Sequence, residues 1–134
     1  MKKEIYCDGA SVPNPGETAC AVVKPGWGEV VFELGRGTNQ TAELWALIHA
    51  LEWAKPGDTI FTDSRYAVGM VAKNWKARAN IELVEQARSL YRDTVKGTVK
   101  IKWMRGHKGH PHQERVDKLA NEAAASAWRK MGGR

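Results

Sequence analysis

Short apolar runs set off by turn residues fill the first part of the chain. The runs "EIYCDG", "TACAVVK" and "GEVVFELG" each read as a strand, and "KPGWG" supplies turn chemistry between the second and third. An antiparallel meander is predicted. A helical spacing follows: "TNQTAELWALIHALEWAKPGD" brings Leu44, Leu47, Ile48 and Leu51 to one side of a helix, with Thr38 or Asn39 as its cap and Pro-Gly as its stop. "DTIFTD" follows as a fourth strand, "SRYAVGMVAKN" as a short helix beginning at Ser64, "IELVEQARSLYRDT" as a further helix and "TVKIKWMR" as a fifth strand. In the last helix, "QERVDKLANEAAASAWRK", Val116, Leu119, Ala120, Ala123 and Ala127 share a side.

Three strands followed by alternating helices and strands predict an α/β fold, a mixed sheet covered by helices. The long helix is a sufficient right-handed crossover to lay strand four parallel to an earlier strand. If that neighbour is strand one, Asp8 and Asp63, each ending its strand, stand side by side where open α/β sheets bind ligands.

Composition changes this picture little. One domain is expected over residues 1–134, long enough to bury about two thirds of its unfolded surface. No apolar run approaches the roughly 20 residues of a membrane span, and the basic start "MKKEIYCDG" leads into a strand, so a cytoplasmic protein is expected. Cys7 and Cys20 have no metal or redox spacing and read as buried thiols. Charge says more. Nine lysines and arginines face three acids between Lys73 and Arg105, so this window carries the whole net charge of +6 and favours a polyanionic partner over a merely solvated face.

"YCDGAS" and "FTDS" each place an aspartate where a strand ends. Two more acids border buried helix faces: Glu43 beside Leu44, and Asp117 beside Val116. Each alone fits a solvent-facing helix-start or strand-end residue. Four together repel one another, and burial adds to the cost, so a cation is expected to hold them. An all-oxygen set without a cysteine or ordered histidine group suits Mg²⁺ or Mn²⁺, and a carboxylate cluster holding two such ions suits phosphodiester cleavage.

The segments "YCDGASVPNPG", "GTNQTAELWALIHALEW", "FTDSRYAV" and "WMRGHKGHPHQERVDKLANEAA", in that order, resemble type 1 ribonuclease H over nearly the whole chain. The resemblance implies the ribonuclease H-like fold: a five-stranded mixed sheet, a three-stranded meander plus two parallel strands, flanked by helices. It also implies an endoribonuclease that hydrolyses the RNA strand of RNA/DNA hybrids by two-metal-ion catalysis, leaving 5′-phosphate and 3′-hydroxyl ends, with two Mg²⁺ ions or Mn²⁺ in their place. By position, Asp8, Glu43, Asp63 and Asp117 match the family's metal-binding acids. His107 matches a loop histidine tied to proton handling or product release, and Glu114 an acid near the second metal and the 2′-hydroxyl. Asn14, Asn39 and Gln40 match amides lining the minor groove, Arg36, Thr38 and Asn80 a pocket for a DNA phosphate, and Tyr66 and Trp75 aromatics of the DNA channel.

Other readings stand beside these. Asn14 in "PNPG" is also plain turn chemistry, Glu114 a first-turn helix acid, and Trp27, Trp45, Trp53, Trp103 and Trp128 read as packing. A zinc site from His107, His110 and His112 lacks a fourth ligand. The chain departs from fuller relatives too: only "KARA" separates Trp75 from Asn80, where many insert a basic protrusion, Val71 replaces an expected aromatic, and Arg65 stands where Gln or Met is common. Weaker, more salt-sensitive binding by a monomer is expected. The alternatives are a non-catalytic hybrid-binding module and another metal-dependent nuclease on the same fold.

Overall fold

The computed structural model describes residues 2–94, 98–105 and 109–133. Its strands are β1 (Glu4–Val12), β2 (Gly16–Lys24), β3 (Gly28–Gly37), β4 (Thr59–Thr62) and β5 (Lys100–Trp103). Its helices are α1 (Asn39–Trp53), α2 (Arg65–Val71), α3 (Ile81–Ser89) and α4 (Pro111–Lys130). The sheet order is β3-β2-β1-β4-β5, with β1, β2 and β3 antiparallel, β4 parallel to β1 and β5 parallel to β4. The meander and the crossover through α1 are as the pattern predicts. The helix expected over "IELVEQARSLYRDT" holds its α-form only to Ser89 and then widens into a π-helical turn over Leu90–Thr94, with Leu90 and Tyr91 against the core.

Alternation along the strands sorts the core into two layers. Ile5, Cys7, Cys20, Val22 and Ile60 face Leu44, Leu47, Ile48 and Leu51 of α1, joined by Val68 and Val84 of α2 and α3. Tyr6, Ala10, Ala19, Ala21 and Val23 face α4 through Val116, Ala120 and Ala124. Small side chains on both sides let α4 lie close to the sheet. Cys7 and Cys20 are fully buried, free thiols.

The pole of the sheet away from the site is tied by a buried ion pair. Lys24 Nζ lies 3.2 Å from Asp58 Oδ2, both almost wholly enclosed, and Asp58 also accepts from the Lys3 and Lys55 backbone N–H groups at 2.9 Å each. Burial alone would raise the Asp58 pKa, but the two N–H groups and Lys24 outweigh it and hold the carboxyl below its ordinary value. A depressed carboxyl stabilises the fold above its unfolded pKa, near 4, and loses that contribution as pH falls through the folded value. Asp58→Asn is therefore expected to cost about 3 kcal/mol in urea unfolding at pH 7, by stranding the Lys24 charge, with the difference from wild type closing below about pH 4.

Candidate metal centre

Register puts the acids together. Tyr6 pairs with Phe61 across the parallel β1–β4 junction, so two residues further on Asp8 comes level with Asp63 on the face that α4 covers. Asp8 does not end its strand as the sequence suggests. It lies inside β1, opposite Ala21, because β2 continues to pair with β1 as far as Val12; only the β4 pairing stops, at Tyr6. Asp63 is left at a turn built by its neighbours. The Ser64 N–H donates to Thr62 Oγ1 (3.1 Å), and Ser64 Oγ caps α2 by accepting from the Ala67 N–H (3.0 Å).

Asp117 reaches the same point from the buried side of α4. Gln113, one turn earlier and fully buried, donates from Nε2 to Asp117 Oδ1 (3.2 Å) and to the Cys7 carbonyl (3.4 Å), tying the helix to β1. Single carboxylate oxygens of Asp8, Asp63 and Asp117 all lie within 4.8 Å of one another. Glu43 approaches from α1, where its Oε1 accepts the Gly9 N–H at 2.6 Å. Thr38 caps that helix in a reciprocal capping box with Thr41, which makes it the cap of the two candidates.

The electrostatics are those of a cluster built for a cation. Burial, then the charges of Glu43, Asp117 and Asp63, push the Asp8 carboxyl well above its ordinary value, and a hydrogen bond shared with Asp117 adds to the effect. Burial and the Asp63 charge push Glu43 up to about 8, although the bonds from Gly9 and Asp8 pull the other way. Burial, and then the charges of Glu43 and Asp8, raise the Cys7 thiol. Converging carboxylate oxygens where β1 and β4 meet fit one or more hard divalent cations. The donor set fits the implied ions.

The remaining predicted residues fall around this centre. His107 lies outside the described residues, and with it the three-histidine set. His110 and His112 pack on Tyr6, each ring 5.2 Å from its centroid. Asn14 Oδ1 accepts the Asn39 N–H (3.1 Å) and Asn39 Oδ1 accepts the Ser11 N–H (2.9 Å), so the two amides brace the loop at the head of α1, with Gln40 exposed beside them. Asn80 adopts a left-handed conformation (φ 56°), donates to the Tyr66 hydroxyl (3.2 Å), and faces Thr41 and Trp45 across an open recess of about 470 Å³. Arg36 is exposed at the end of β3, and Glu114 is exposed in the first turn of α4.

Three residues that bear on the site were not singled out in the sequence. Gln113 was recognisable as the residue four before Asp117, on the same helical face. Gly9, beside Asp8, leaves room for the α1 backbone. Trp103, read there as packing, donates its indole N–H to the Asp63 carbonyl at 3.0 Å.

A carboxylate cluster at the β1–β4 junction of a 3-2-1-4-5 mixed sheet defines a metal-dependent nuclease of the ribonuclease H-like fold. Residues 1–125 match the RNase H family. Ribonuclease H of Novosphingobium aromaticivorans is 36% identical, covering 92% of this chain and 97% of its own, and that of Cupriavidus pinatubonensis is 38% identical, covering 91% and 94%. RNase H1 from Halobacterium salinarum superposes with a TM-score of 0.75 at 29% identity, covering 94% of this chain and 99% of its own. LC11-RNase H1, solved in complex with an RNA/DNA hybrid, shares the fold with a TM-score of 0.78 at 23% identity, covering 93% and 98%. The chain belongs to the ribonuclease H family, type 1.

Proposed function

We propose that this protein hydrolyses the RNA strand of RNA/DNA hybrids, leaving 5′-phosphate and 3′-hydroxyl ends, with Asp8, Glu43, Asp63 and Asp117 as its metal-holding acids. The observation that carries the reading is the meeting of Asp8, Asp63 and Asp117 oxygens within 4.8 Å, from three elements far apart in sequence. The hybrid as substrate is supported by LC11-RNase H1, whose structure contains one. Mg²⁺, with Mn²⁺ as a substitute, suits the all-carboxylate donors; when bound, such ions supply Lewis acidity for water attack and for the departing oxygen.

The chain's own residues do the rest. Asp8 and Asp117 are held from opposite sides of one contact, by β1 and by the Gln113 brace, and Glu43 is set by the Gly9 N–H. No side chain among these acids is needed as nucleophile. The braced amides of Asn14 and Asn39, with Gln40, lie near enough to the head of α1 to accept from and donate to a 2′-hydroxyl, which only the RNA strand offers. His107 is assigned proton handling or product release, and Glu114 a place beside the 2′-hydroxyl. Arg36, Thr38 and Asn80 are assigned to a DNA-strand phosphate, and Tyr66 and Trp75 to the DNA channel. We place the protein in the cytoplasm as a monomer; among the described residues no helix is long and apolar enough to cross a membrane.

The expected result is that the protein with Mg²⁺ cuts the RNA of a hybrid and spares double-stranded RNA and double-stranded DNA, and that a chelator stops it. Gel analysis of end-labelled substrates reads this directly. Cleavage of DNA alone would favour another nuclease on this fold, and tight binding without turnover a binding module.

A further inference from the structure

One arginine closes the connection between α2 and α3. Residues 72–80 join these helices, and the backbone turns left-handed at Asn74 (φ 54°) and again at Asn80 (φ 56°). After Ala72 the chain folds back on α2: the Trp75 N–H donates to the Gly69 carbonyl (3.0 Å), and the Trp75 ring lies so close over Gly69 that a Cβ there would meet it at 2.1 Å. Arg88, in the last turn of α3, reaches across to this segment. Its Nε donates to the Met70 carbonyl at 2.6 Å, one terminal nitrogen to the Trp75 carbonyl, and the other to Glu85 Oε1 at 3.2 Å. Met70 stands in the last turn of α2, where carbonyls lack intrahelical partners and a cation is favoured. A planar fork serves two carbonyls and a carboxylate at once; an ammonium is a single point. With its three nitrogens engaged and its side chain only 14% exposed, Arg88 is turned to the protein and not to a ligand, whereas Trp75 is 47% exposed.

We propose that Arg88 is a positioning residue for substrate binding: by clamping the Met70 and Trp75 carbonyls it fixes the α2–α3 connection and holds the half-exposed Trp75 ring ready for the DNA strand of the hybrid. A loose connection would have to be ordered on binding, and that entropy would be lost from affinity. Length gives the clamp its importance. With only "KARA" between Trp75 and Asn80, the connection is too short to build a supporting structure of its own, and a side chain from α3 holds it instead. Asn80, at the far end, is tied separately by its bond to the Tyr66 hydroxyl (3.2 Å), so removing the clamp frees the Trp75 half of the connection. This inference rests on the ribonuclease H reading and on the place of Trp75 in the DNA channel.

Two variants separate the clamp from its charge. Arg88→Met keeps an unbranched stem and removes the fork; Arg88→Lys keeps the charge. Arg88→Met is expected to raise the Kd of a labelled RNA/DNA hybrid about tenfold, read by fluorescence anisotropy with chelator present, and to raise KM equally while kcat stays within about twofold. Arg88→Lys, which cannot bridge two carbonyls, should fall close to Arg88→Met. In both, the slope of log affinity against log salt stays at the wild-type value, whereas an arginine bound to a phosphate would take about one from it. In a Trp75→Ala background, Arg88→Met should weaken binding by less than about twofold more, because the ring it positions has gone. Hydrogen exchange shows whether the variant is folded: the Trp75 amide should exchange at least about tenfold faster in Arg88→Met, with the β1 and α4 amides unchanged. Wild-type affinity in Arg88→Met, additivity with Trp75→Ala, a reduced salt slope, or faster exchange throughout the chain overturns the proposal. Non-additivity in Kd without any cutting by wild type would uphold the clamp and sink the nuclease reading.

Discussion

Asp8→Asn is expected to reduce cleavage by about 10³-fold or more while raising the melting temperature of the metal-free protein by several degrees. The two effects share one cause. Asp8 is buried among three other acids, and its carboxyl is pushed well above the ordinary range by that burial and then by Glu43, Asp117 and Asp63. The sign follows from linkage. An unfolded chain releases such protons near pH 4, whereas the folded chain keeps them to higher pH, so rising pH favours the unfolded state across the interval. For Glu43 that interval runs from its unperturbed 4.5 to about 8. Metal-free wild type should therefore lose stability as pH rises from about 4.5 to 8, and the asparagine variant should lose less, because one acid has gone. Excess Mg²⁺ reverses the order: an ion that binds only the folded state stabilises wild type, and the variant, lacking a ligand, gains little. Scanning calorimetry in chelator and in Mg²⁺, beside the cleavage assay, measures each arm. An asparagine variant that melts lower without metal, or still cuts, would remove the basis for calling the cluster a metal centre.

Much of this site was legible because it is written in the strand period. Tyr6 and Asp8, like Phe61 and Asp63, are two residues apart and so share a face, and a right-handed crossover through a fifteen-residue α1 makes β1 and β4 neighbours. Periodicity says which face a residue takes but not how far a strand continues past its last partner. For that reason Asp8 was expected at a strand end and is found inside one, still paired to β2. Trp103 shows a different limit. An aromatic in a strand pattern reads as packing, and nothing local announces that its indole N–H will meet a carbonyl forty residues earlier in the chain. Asn14 acts as the turn reading expects: its side chain accepts from Asn39, and the pair fixes the loop at the head of α1. The π-helical turn after Ser89 had no signature in the apolar spacing, since Leu90 and Tyr91 suit an ordinary helix equally well.

Gly9→Ala is expected to lower stability by about 3 kcal/mol and cleavage by about 10²-fold, although the side chain added is a single methyl. Gly9 lies on the α1 side of β1, where the sheet and the helix backbone come close. A Cβ there would stand 2.2 Å from the Ala42 carbonyl carbon and 2.5 Å from the Glu43 nitrogen. Those are main-chain atoms of a capped helix with Leu44, Leu47 and Ile48 locked in the core, so relief requires the whole first turn of α1 to move away from β1. That movement lengthens the 2.6 Å bond from the Gly9 N–H to Glu43 Oε1, and with it goes the geometry of one of the four acids. A tight site is sensitive to such shifts, because about 1 Å of misplacement far from the chemistry can cost 10²-fold. Urea unfolding measures the first effect. Cleavage at a temperature where the variant is fully folded measures the second, and loss there that Mn²⁺ or higher Mg²⁺ partly restores would mark a displaced ligand rather than a melted domain. An alanine variant with an unchanged midpoint and full activity would mean that β1 and α1 do not approach this closely, and Glu43 would then have no fixed place in the cluster.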